Sequence, residues 1–273
     1  MILGIDLGGT NIRVGRVDGD GIVGKISEPS PAHLPLEESL DYLVAAVERM
    51  MTPQVRGIGI GVPSVVDARS GVVYNVVNIP SWREVHLKDV LERRFGVAVC
   101  VNNDANCFAL GEMRFGRARG FSDVVAVTLG TGVGAGIVTN GALYNGRNTG
   151  AGEIGSLPYL DATLEDYCGS NFFPRHGTTG RRAAEAALAG DGAALAVWDE
   201  FGGHVGNMMQ TIMFAYDPEA VVLGGGIAGA YPLFEAAMRR KMAEFPYPET
   251  VRNLMIEVSD NPDIQILGAA ALV

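Results

Sequence analysis

One structural plan occurs twice in this chain, and it limits the folds that the chain can adopt. Residues 2–26, ILGIDLGGTNIRVGRVDGDGIVGKI, predict three short strands with turns at residues 8–9 and 18–21. Residues 124–144, VVAVTLGTGVGAGIVTNGALY, repeat this order of strand, glycine turn, strand, Asn-Gly turn and strand. Two similar units in one chain predict two lobes of related topology that face each other.

The second glycine turn is dense, with four glycines between Gly130 and Gly136. Glycine loses more backbone entropy on ordering than other residues do, so the cluster indicates a place where a Cβ atom would obstruct something. A tight hairpin is one explanation. A loop that lets a phosphate touch the backbone is the other, and the spacing alone leaves both open.

Neither glycine turn fits a common nucleotide-binding fingerprint. The sequence has no P-loop pattern G-x-x-x-x-G-K-[ST], and GTGVGAG does not open a helix as a dinucleotide fingerprint should. The second observation disfavours NAD, because the glycine run continues into an Asn-Gly hairpin and not into a βαβ unit. ATP is the better prediction, because two facing phosphate turns on repeated units are what a split nucleotide site needs.

Composition excludes several classes of partner. Hydrophobic residues make up 48% of the 273 residues and charged residues 19%, which favours a packed core over disorder. The formal net charge of −10 disfavours binding to nucleic acid or to a membrane surface. Three cysteines without a pairwise motif are typical of a reducing compartment. With no signal peptide or membrane span predicted, we expect a cytoplasmic protein.

Helical and strand patterns alternate around the two units. Amphipathic helices are predicted over Leu36–Met51 and over HLKDVLERRFG, where Gly96 is the expected C-cap. The runs VRGIGIGV, VAVCVNND and AVVLGG predict further strands. This alternation predicts the α/β class with a largely parallel sheet in each lobe. We place one lobe at residues 1–106, joined by a C-terminal helix at 263–273, and the other at 107–262.

The first glycine turn carries groups suited to a metal and a phosphate. Asp6 lies near the end of an apolar strand, and Gly8–Thr10 follow it. A strand-end carboxylate can hold a hydrated magnesium ion, while a Gly-Gly-Thr turn offers amides and a hydroxyl to phosphate oxygens. A plain β-turn with a chance aspartate is the alternative. The matching turn at Gly130–Gly132 favours the phosphate-binding interpretation.

Three further carboxylates have both structural and functional interpretations. Asp104 follows an apolar strand at the start of a helical run, so it could cap the helix, accept a proton from a substrate hydroxyl, or do both. Glu153 lies in a glycine-rich loop, where a carboxylate is usually a solvated surface group. Glu165 could be a first-turn helix residue favoured by the helix dipole. The four histidines share no ligand spacing, and we expect surface or core roles for them.

Six short motifs occur in one order along the chain: GIDLGGTNIR, NIPSW, VNNDAN, TLGTGVGAGIV, GAGEIGS and DPEAVVLGGGI. Together they resemble the ROK family, the group of sugar kinases and sugar-responsive repressors within the actin-like ATPase superfamily. Each motif alone is weak, but the combination is specific and extends to the closing ILGAAAL. The resemblance implies two α/β lobes, each with a ribonuclease H-like core, around a central cleft.

The resemblance also implies roles for individual residues in phosphoryl transfer from ATP to a sugar hydroxyl. It implies that Asp104 corresponds to the catalytic base of the family. It also implies that Asp6 corresponds to the residue that orients magnesium through water. The sugar ligands that it implies are Asn78, Asn103, Asp104, Glu153 and Glu165. The residues that it implies at the nucleotide are Asp6, Gly8, Gly9, Thr10, Gly130, Thr131, Gly132, Gly225 and Gly226. The expected partners are a sugar, MgATP and a second copy of the chain in a homodimer.

Two features common in that family are missing. Ser156 stands where the family often has a histidine, and residues 157–165 are too few for the cysteine loop C-x-C-G-x-x-G-C. Because the two parts of a structural zinc site are missing together, we expect no zinc. Another element must then order the loop around Glu165. The candidates are the aromatic residues Tyr159, Tyr167, Phe172 and Phe173.

The prediction from sequence is an ATP- and magnesium-dependent kinase that phosphorylates a hexose, glucose, allose or fructose, on its 6-hydroxyl. An N-acetylmannosamine kinase is one alternative, and a non-catalytic sugar-binding or regulatory ROK protein is another. A repressor would need a DNA-reading module ahead of the first strand. We expect none, because the first strand begins at Ile2 and the chain is acidic.

Overall fold

Strands and helices alternate along the chain in the predicted order. The computed structural model describes residues 1–19, 21–76, 78–147 and 149–273. The strands are β1 (Ile2–Leu7), β2 (Asn11–Asp18), β3 (Gly21–Pro29), β4 (Gly57–Val62), β5 (Val65–Asp67), β6 (Val72–Tyr74), β7 (Glu84–His86), β8 (Ala98–Asn103), β9 (Val124–Leu129), β10 (Val133–Thr139), β11 (Ala142–Leu143), β12 (Pro158–Tyr159), β13 (Ala162–Thr163), β14 (Ala220–Gly224) and β15 (Met255–Val258). The α-helices are α1 (Leu36–Met50), α2 (Leu87–Phe95), α3 (Asp104–Phe115), α4 (Leu164–Cys168), α5 (Gly180–Leu188), α6 (Gly192–Tyr216), α7 (Tyr231–Met242), α8 (Pro248–Asn253) and α9 (Ile264–Ala270). Short 3₁₀ helices span Ile154–Ser156, Ser170–His176 and Ala228–Ala230.

The chain divides into two compact units. The first consists of Met1–Arg119, Leu143–Ala151 and Asn261–Val273. Its main sheet has the strand order β3-β2-β1-β4-β8, in which β1, β2 and β3 are antiparallel neighbours and β4 and β8 run parallel to β1. Buried apolar side chains of this sheet and of helices α1 and α2 form one cluster. This unit therefore has a hydrophobic core of its own.

The second unit consists of Gly120–Ala142 and Gly152–Asp260. Its main sheet has the order β11-β10-β9-β14-β15, with β9 and β10 antiparallel and β14 and β15 parallel to β9. The two units thus share one sheet topology, as the repeated sequence plan predicts. A separate core of aromatic, methionine and aliphatic side chains lies on this sheet and on helices α4 to α7.

The predicted largely parallel sheets are wrong, because both main sheets are mixed. The first three strands of each unit follow one another through tight turns, and such turns can join only antiparallel neighbours. In the first unit the turn at residues 8–10 joins β1 to β2, and in the second unit residues 130–132 join β9 to β10. Strands join in parallel only after the chain has passed through a helix. The expected C-cap is confirmed, since Gly96 ends α2 at a φ of 66°.

The division into units differs from the expected boundary between residues 106 and 107. That boundary would cut α3, which lies whole in the first unit together with α9. Residues 143–151, expected in the second lobe, also belong to the first unit. Along the described residues, no helix combines the length and the apolar character needed to cross a membrane.

Close backbone packing fixes the start of α3. A Cβ added at Gly59 of β4 would lie 1.7 Å from the carbonyl oxygen of Ala269, so α9 can approach the sheet only because this residue is glycine. A Cβ at Gly268 of α9 would lie 1.8 Å from the carbonyl oxygen of Cys107 in α3. Both contacts require a missing side chain. The sheet, α9 and α3 are therefore packed backbone against backbone, and Asp104 begins a firmly held helix.

Candidate active site

Three parallel strands of the first unit end at one edge of its sheet. Asp6 of β1 pairs in register with Gly61 of β4, and Val62 pairs with Asn103 of β8. Asp104 follows directly as the first residue of α3. The carboxyl ends of parallel strands are where open α/β sheets bind ligands. The first unit thus brings together three of the predicted site residues at this edge.

Asp6 is buried, and its negative charge is compensated by Arg13. The carboxylate oxygen Oδ2 accepts hydrogen bonds from Arg13 Nε at 2.8 Å and from Nη2 at 2.6 Å. The same guanidinium donates to the Pro262 carbonyl at 2.6 Å and to Gln265 Oε1 at 2.7 Å. Because both bonds to Asp6 go to Oδ2, the other oxygen is the one suited to a hydrated cation. Sequence reasoning missed Arg13, although the β1–β2 hairpin places it directly opposite Asp6.

The first glycine turn lies against a predicted sugar ligand. A hydrogen bond from Gly8 N to Asn11 O, 2.9 Å long, closes the turn. A Cβ added at Gly9 would lie 2.8 Å from the amide atoms of Asn78. The side chain of Thr10 is exposed, so its hydroxyl is open to a ligand. The structure therefore places Asn78 beside the turn that would meet phosphate.

Asn103, and not Asp104, is the N-cap of α3. Its Oδ1 accepts from Ala105 N at 2.8 Å and from Asn106 N at 3.3 Å, while its Nδ2 donates to the Ser64 carbonyl at 3.3 Å. Asp104 is the first helical residue, and its Oδ1 accepts from Ala105 N at 2.9 Å. The suggested capping role for Asp104 is therefore wrong. Its carboxylate sits instead in the first turn, where the helix dipole favours a negative charge.

A group of three asparagines behind Asp104 was not predicted. Asn102 is buried at the end of β8, and its Oδ1 accepts from Asn106 Nδ2 at 2.9 Å. Asn145 Oδ1 accepts from Asn102 Nδ2 at 3.0 Å and from Asn106 Nδ2 at 3.2 Å. These bonds tie the segment 143–151 to the start of α3. The motif VNNDAN contains two of the three, Asn102 and Asn106, whereas Asn145 lies outside it and had no sequence signal.

The second glycine turn lies against a carboxylate. A Cβ added at Gly132 would lie 2.3 Å from Oε2 of Glu165, and the same oxygen accepts from Val133 N at 2.9 Å. A Cβ at Gly130 would meet no atom within 4 Å. Helix α4 begins with a capping box between Thr163 and Asp166, which sets Glu165 in its first turn. A Cβ at position 132 would therefore displace the Glu165 carboxylate, whereas position 130 is open.

Glu153 lies close enough to Glu165 for their charges to interact. Glu153 directly precedes the 3₁₀ helix Ile154–Ser156. The residue is exposed, but neighbouring atoms partly desolvate its carboxyl, and this desolvation raises the pKa of Glu153. The negative charge of Glu165 raises that pKa further. The second unit thus brings together two of the predicted sugar ligands, and their proximity favours a ligand that donates hydrogen bonds to both.

An aromatic cluster packs behind α4. Tyr159 bonds through its hydroxyl to His204 Nδ1 at 3.0 Å and accepts from Asn207 Nδ2 at 2.9 Å. Its ring meets that of Tyr167 edge to face at 5.3 Å, and burial raises the pKa of Tyr159 to about 12. Phe172 and Phe173 are fully buried. The four aromatic residues that sequence reasoning singled out therefore pack in this core, and their role in ordering the segment stays a prediction.

A mainly apolar pocket of about 560 Å³ opens beside the second glycine turn. Its lining includes Gly130, Thr131 and Gly226, with Phe173 and Trp198 among the apolar side chains. Gly225 shapes the turn after β14, since it adopts a φ of 84° and a Cβ there would lie 2.3 Å from the Leu129 carbonyl. Strand β14 thus ends in an exposed glycine pair next to the pocket. The volume of this pocket and its mainly apolar lining suit a nucleoside.

Each unit is an α/β unit with a glycine turn between its first two strands. The ROK family model matches residues 2–172 and 174–273, and the chain belongs to the ROK family. It is 30% identical to a glucokinase from Thermotoga maritima, over 100% of this chain and 96% of that protein. The match extends over nearly the whole of both chains.

Solved structures of ROK family sugar kinases are similar to this chain over nearly its whole length. A ROK family glucokinase from Streptomyces griseus, in complex with glucose and AMPPNP, has a TM-score of 0.83 at 28% identity and covers 100% of this chain and 98% of its own. A ROK hexokinase from Thermus thermophilus has a TM-score of 0.84 at 28% identity, with coverage of 100% and 97%. These likenesses confirm the predicted fold class, the actin-like ATPase fold with its two α/β lobes.

Proposed function

We propose that this chain is an ATP-dependent hexose kinase that phosphorylates the 6-hydroxyl of glucose, allose or fructose. The observation that carries the proposal is the pair of carboxylates at one sheet edge, where Asp6 ends β1 and Asp104 begins α3 directly after β8, with β4 between the two strands. The relatives named above are a hexokinase and glucokinases, which supports the same activity.

Asp104 is the proposed catalytic base. Phosphoryl transfer has a loose transition state, so positioning and charge neutralisation contribute more than a strong base does. A carboxylate can accept the hydroxyl proton late, once the new oxygen–phosphorus bond has begun to form. The packing of α3 against the sheet and α9 holds this carboxylate in place, which is what such a mechanism requires.

The residues at the nucleotide fit MgATP. The exposed threonines Thr10 and Thr131 and the amides of the two glycine turns suit phosphate oxygens, while the apolar pocket near Gly226 suits adenosine. Asp6 would hold magnesium through water with the oxygen that Arg13 leaves available. Magnesium, when bound, neutralises charge on the phosphates. Among the described residues, no group of three or more His, Cys, Asp or Glu side chains could hold a metal.

The proposed sugar ligands are Asn78, Asn103, Glu153 and Glu165. Amides and carboxylates of this kind recognise vicinal hydroxyl groups, and one inverted hydroxyl changes about one hydrogen bond, roughly 0.5–1.5 kcal/mol. The choice among hexoses therefore depends on small differences. We also expect a homodimer in the cytoplasm, and size-exclusion chromatography with light scattering tests the dimer.

A coupled assay of ADP release tests the activity. Glucose, allose, fructose, mannose and N-acetylmannosamine are compared by kcat/KM, with magnesium and ATP in excess and D104N as the matched control. We expect the highest value with one of the first three sugars and little turnover in the control. A preference for N-acetylmannosamine would favour that alternative substrate. No turnover with any sugar would favour a non-catalytic sugar-binding protein.

A further inference from the structure

Helix α4 and the residue Ser170 contact the second glycine turn at three points. Glu165 Oε2 accepts a hydrogen bond from Val133 N at 2.9 Å. Ser170 N donates to the Gly130 carbonyl at 2.9 Å, and Ser170 Oγ donates to the Thr131 carbonyl at 3.3 Å. These contacts reach the turn and the residue after it. These three hydrogen bonds hold the turn against the segment 165–170. We refer to this segment as the turn clamp.

One side chain of the turn clamp also belongs to the proposed sugar site. Only Oε2 of Glu165 is hydrogen-bonded to the turn, so Oε1 is the oxygen that can accept a sugar hydroxyl. The same carboxylate occupies the space beside Gly132 that a Cβ would otherwise fill. A change in the position of this carboxylate must therefore change the support of the turn.

We propose that Glu165 is a positioning residue for the nucleotide, and that through it the sugar and nucleotide sites are coupled. A hexose that binds Oε1 holds the carboxylate in place, which orders the turn that contacts phosphate. Linkage requires the effect to be reciprocal, so bound nucleotide strengthens sugar binding by the same factor. This inference rests on the proposed kinase function, since it assumes that the turn binds phosphate and that Glu165 binds sugar.

Two substitutions at Glu165 separate the roles. Glu165→Gln keeps an oxygen that can accept from Val133 N, whereas Glu165→Ala leaves that amide without its partner. We expect calorimetry without sugar to show ADP binding about tenfold weaker in the alanine variant and within about twofold of wild type in the glutamine variant. Saturating hexose should strengthen ADP binding by about fivefold or more in wild type. In the alanine variant this gain should disappear.

The glycine turn provides the reciprocal test. A Cβ at Gly132 meets the Glu165 carboxylate, while a Cβ at Gly192, at the start of α6, meets nothing within 4 Å, so Gly192→Ala is a control outside the proposed site. Neither glycine has a positive φ, so alanine adds no backbone strain at either position. We expect G132A to raise the KM for the hexose about tenfold, although the residue belongs to the phosphate turn. G192A should leave that KM within about twofold of wild type.

The outcomes distinguish this inference from the proposed function. If wild-type protein neither binds ADP nor turns over any hexose, the kinase proposal itself fails. If wild type is active but both Glu165 variants bind ADP without sugar as wild type does, Glu165 is only a sugar ligand and the coupling is overturned. Equal losses in the two variants would also overturn it, because glutamine retains the hydrogen bond. Circular dichroism and thermal melting of each variant identify any that fail to fold.

Discussion

The two glycine turns share a plan, but their surroundings differ. In the first unit Gly9 faces the neutral amide of Asn78, and the nearby acid, Asp6, is paired with the guanidinium of Arg13. In the second unit Gly132 faces the carboxylate of Glu165, which is bound by a backbone N–H and by no described cation. A repeated sequence motif thus joins two antiparallel strands in each unit, while the residues that surround it differ.

We expect this difference to give the two turns different roles in the proposed reaction. Asp6, whose charge is compensated by Arg13, lies at the same sheet edge as Asp104. Asp6 suits cation placement, and Asp104 suits proton transfer. A carboxylate held only by an amide dipole keeps an oxygen for a neutral hydroxyl ligand. We therefore expect substitutions in the first unit to lower kcat, and substitutions around the second turn to raise KM.

The largest expected effect is that of Asp104→Asn. Loss of the proton acceptor should lower kcat by roughly 10²–10⁴-fold while sugar affinity is nearly kept, because asparagine retains the shape of the side chain. Steady-state kinetics and a sugar titration by calorimetry measure the two effects. Glu165→Gln is the control from the other unit, and its sugar KM should change more than its kcat. A D104N enzyme with a tenth or more of wild-type kcat would remove Asp104 from the chemistry.

The second-largest expected effect is that of Arg13→Gln, which removes the positive charge that compensates Asp6. Arg13→Gln leaves a buried carboxylate without its cation, and because the arginine side chain is 24% exposed we expect a loss of about 2–3 kcal/mol in the free energy of unfolding. Urea denaturation measures this loss. The surface pair between Lys25 and Asp263 provides the control, since Lys25→Gln should cost less than about 1 kcal/mol. Equal costs in the two variants would show that Asp6 needs no compensating charge.

Local patterns in the sequence were sufficient to predict much of the fold. The repeated strand and turn plan, the helix over residues 36–50 and the cap at Gly96 depend on neighbours within a few positions. The mixed sheets were missed because alternation of strands and helices was weighed more heavily than the two hairpins. The hairpin register would also have revealed Arg13, since a tight turn at residues 8–10 sets it opposite Asp6.

The contacts that explain the second turn could not be found in this way. Gly132 and Glu165 are separated by 33 positions of chain, and their contact depends on how α4 packs against β10. No periodic pattern encodes a contact of that range. The glycine cluster was therefore interpreted as a tight hairpin or as a phosphate loop, and Glu165 was not considered. In the structure an internal carboxylate also explains one of its members, which shows that a glycine motif can serve a ligand and the fold together.

A smaller effect is expected from Glu153, whose pKa is raised above 4.5 by desolvation and by Glu165. Because ionisation is disfavoured in the folded protein, its cost to stability is present at neutral pH and is relieved as the pH falls through the raised pKa. Glu153→Gln should therefore raise the melting temperature slightly at pH 7 and leave it unchanged near pH 4. The sugar KM of wild type should rise as the pH falls toward that pKa, more steeply than in the variant. Parallel KM profiles for the two proteins would contradict the placement of Glu153 in the sugar site.

The smallest expected effect is the response of folding to a chelator. A structural zinc can contribute on the order of 10 kcal/mol of apparent binding free energy, so a segment that lacks one needs another source of order. Around Glu165 we expect that source to be the packing of Tyr159, Tyr167 and His204, with ring centroids 4.8–5.7 Å apart. We therefore expect far less than one zinc per chain by elemental analysis and a melting temperature unchanged by EDTA. Turnover should stop in EDTA and return with excess magnesium, because MgATP is the proposed substrate.

About one tightly held zinc, with a melting temperature that falls on its removal, would contradict both the predicted absence of zinc and the placement of Glu165 at the sugar.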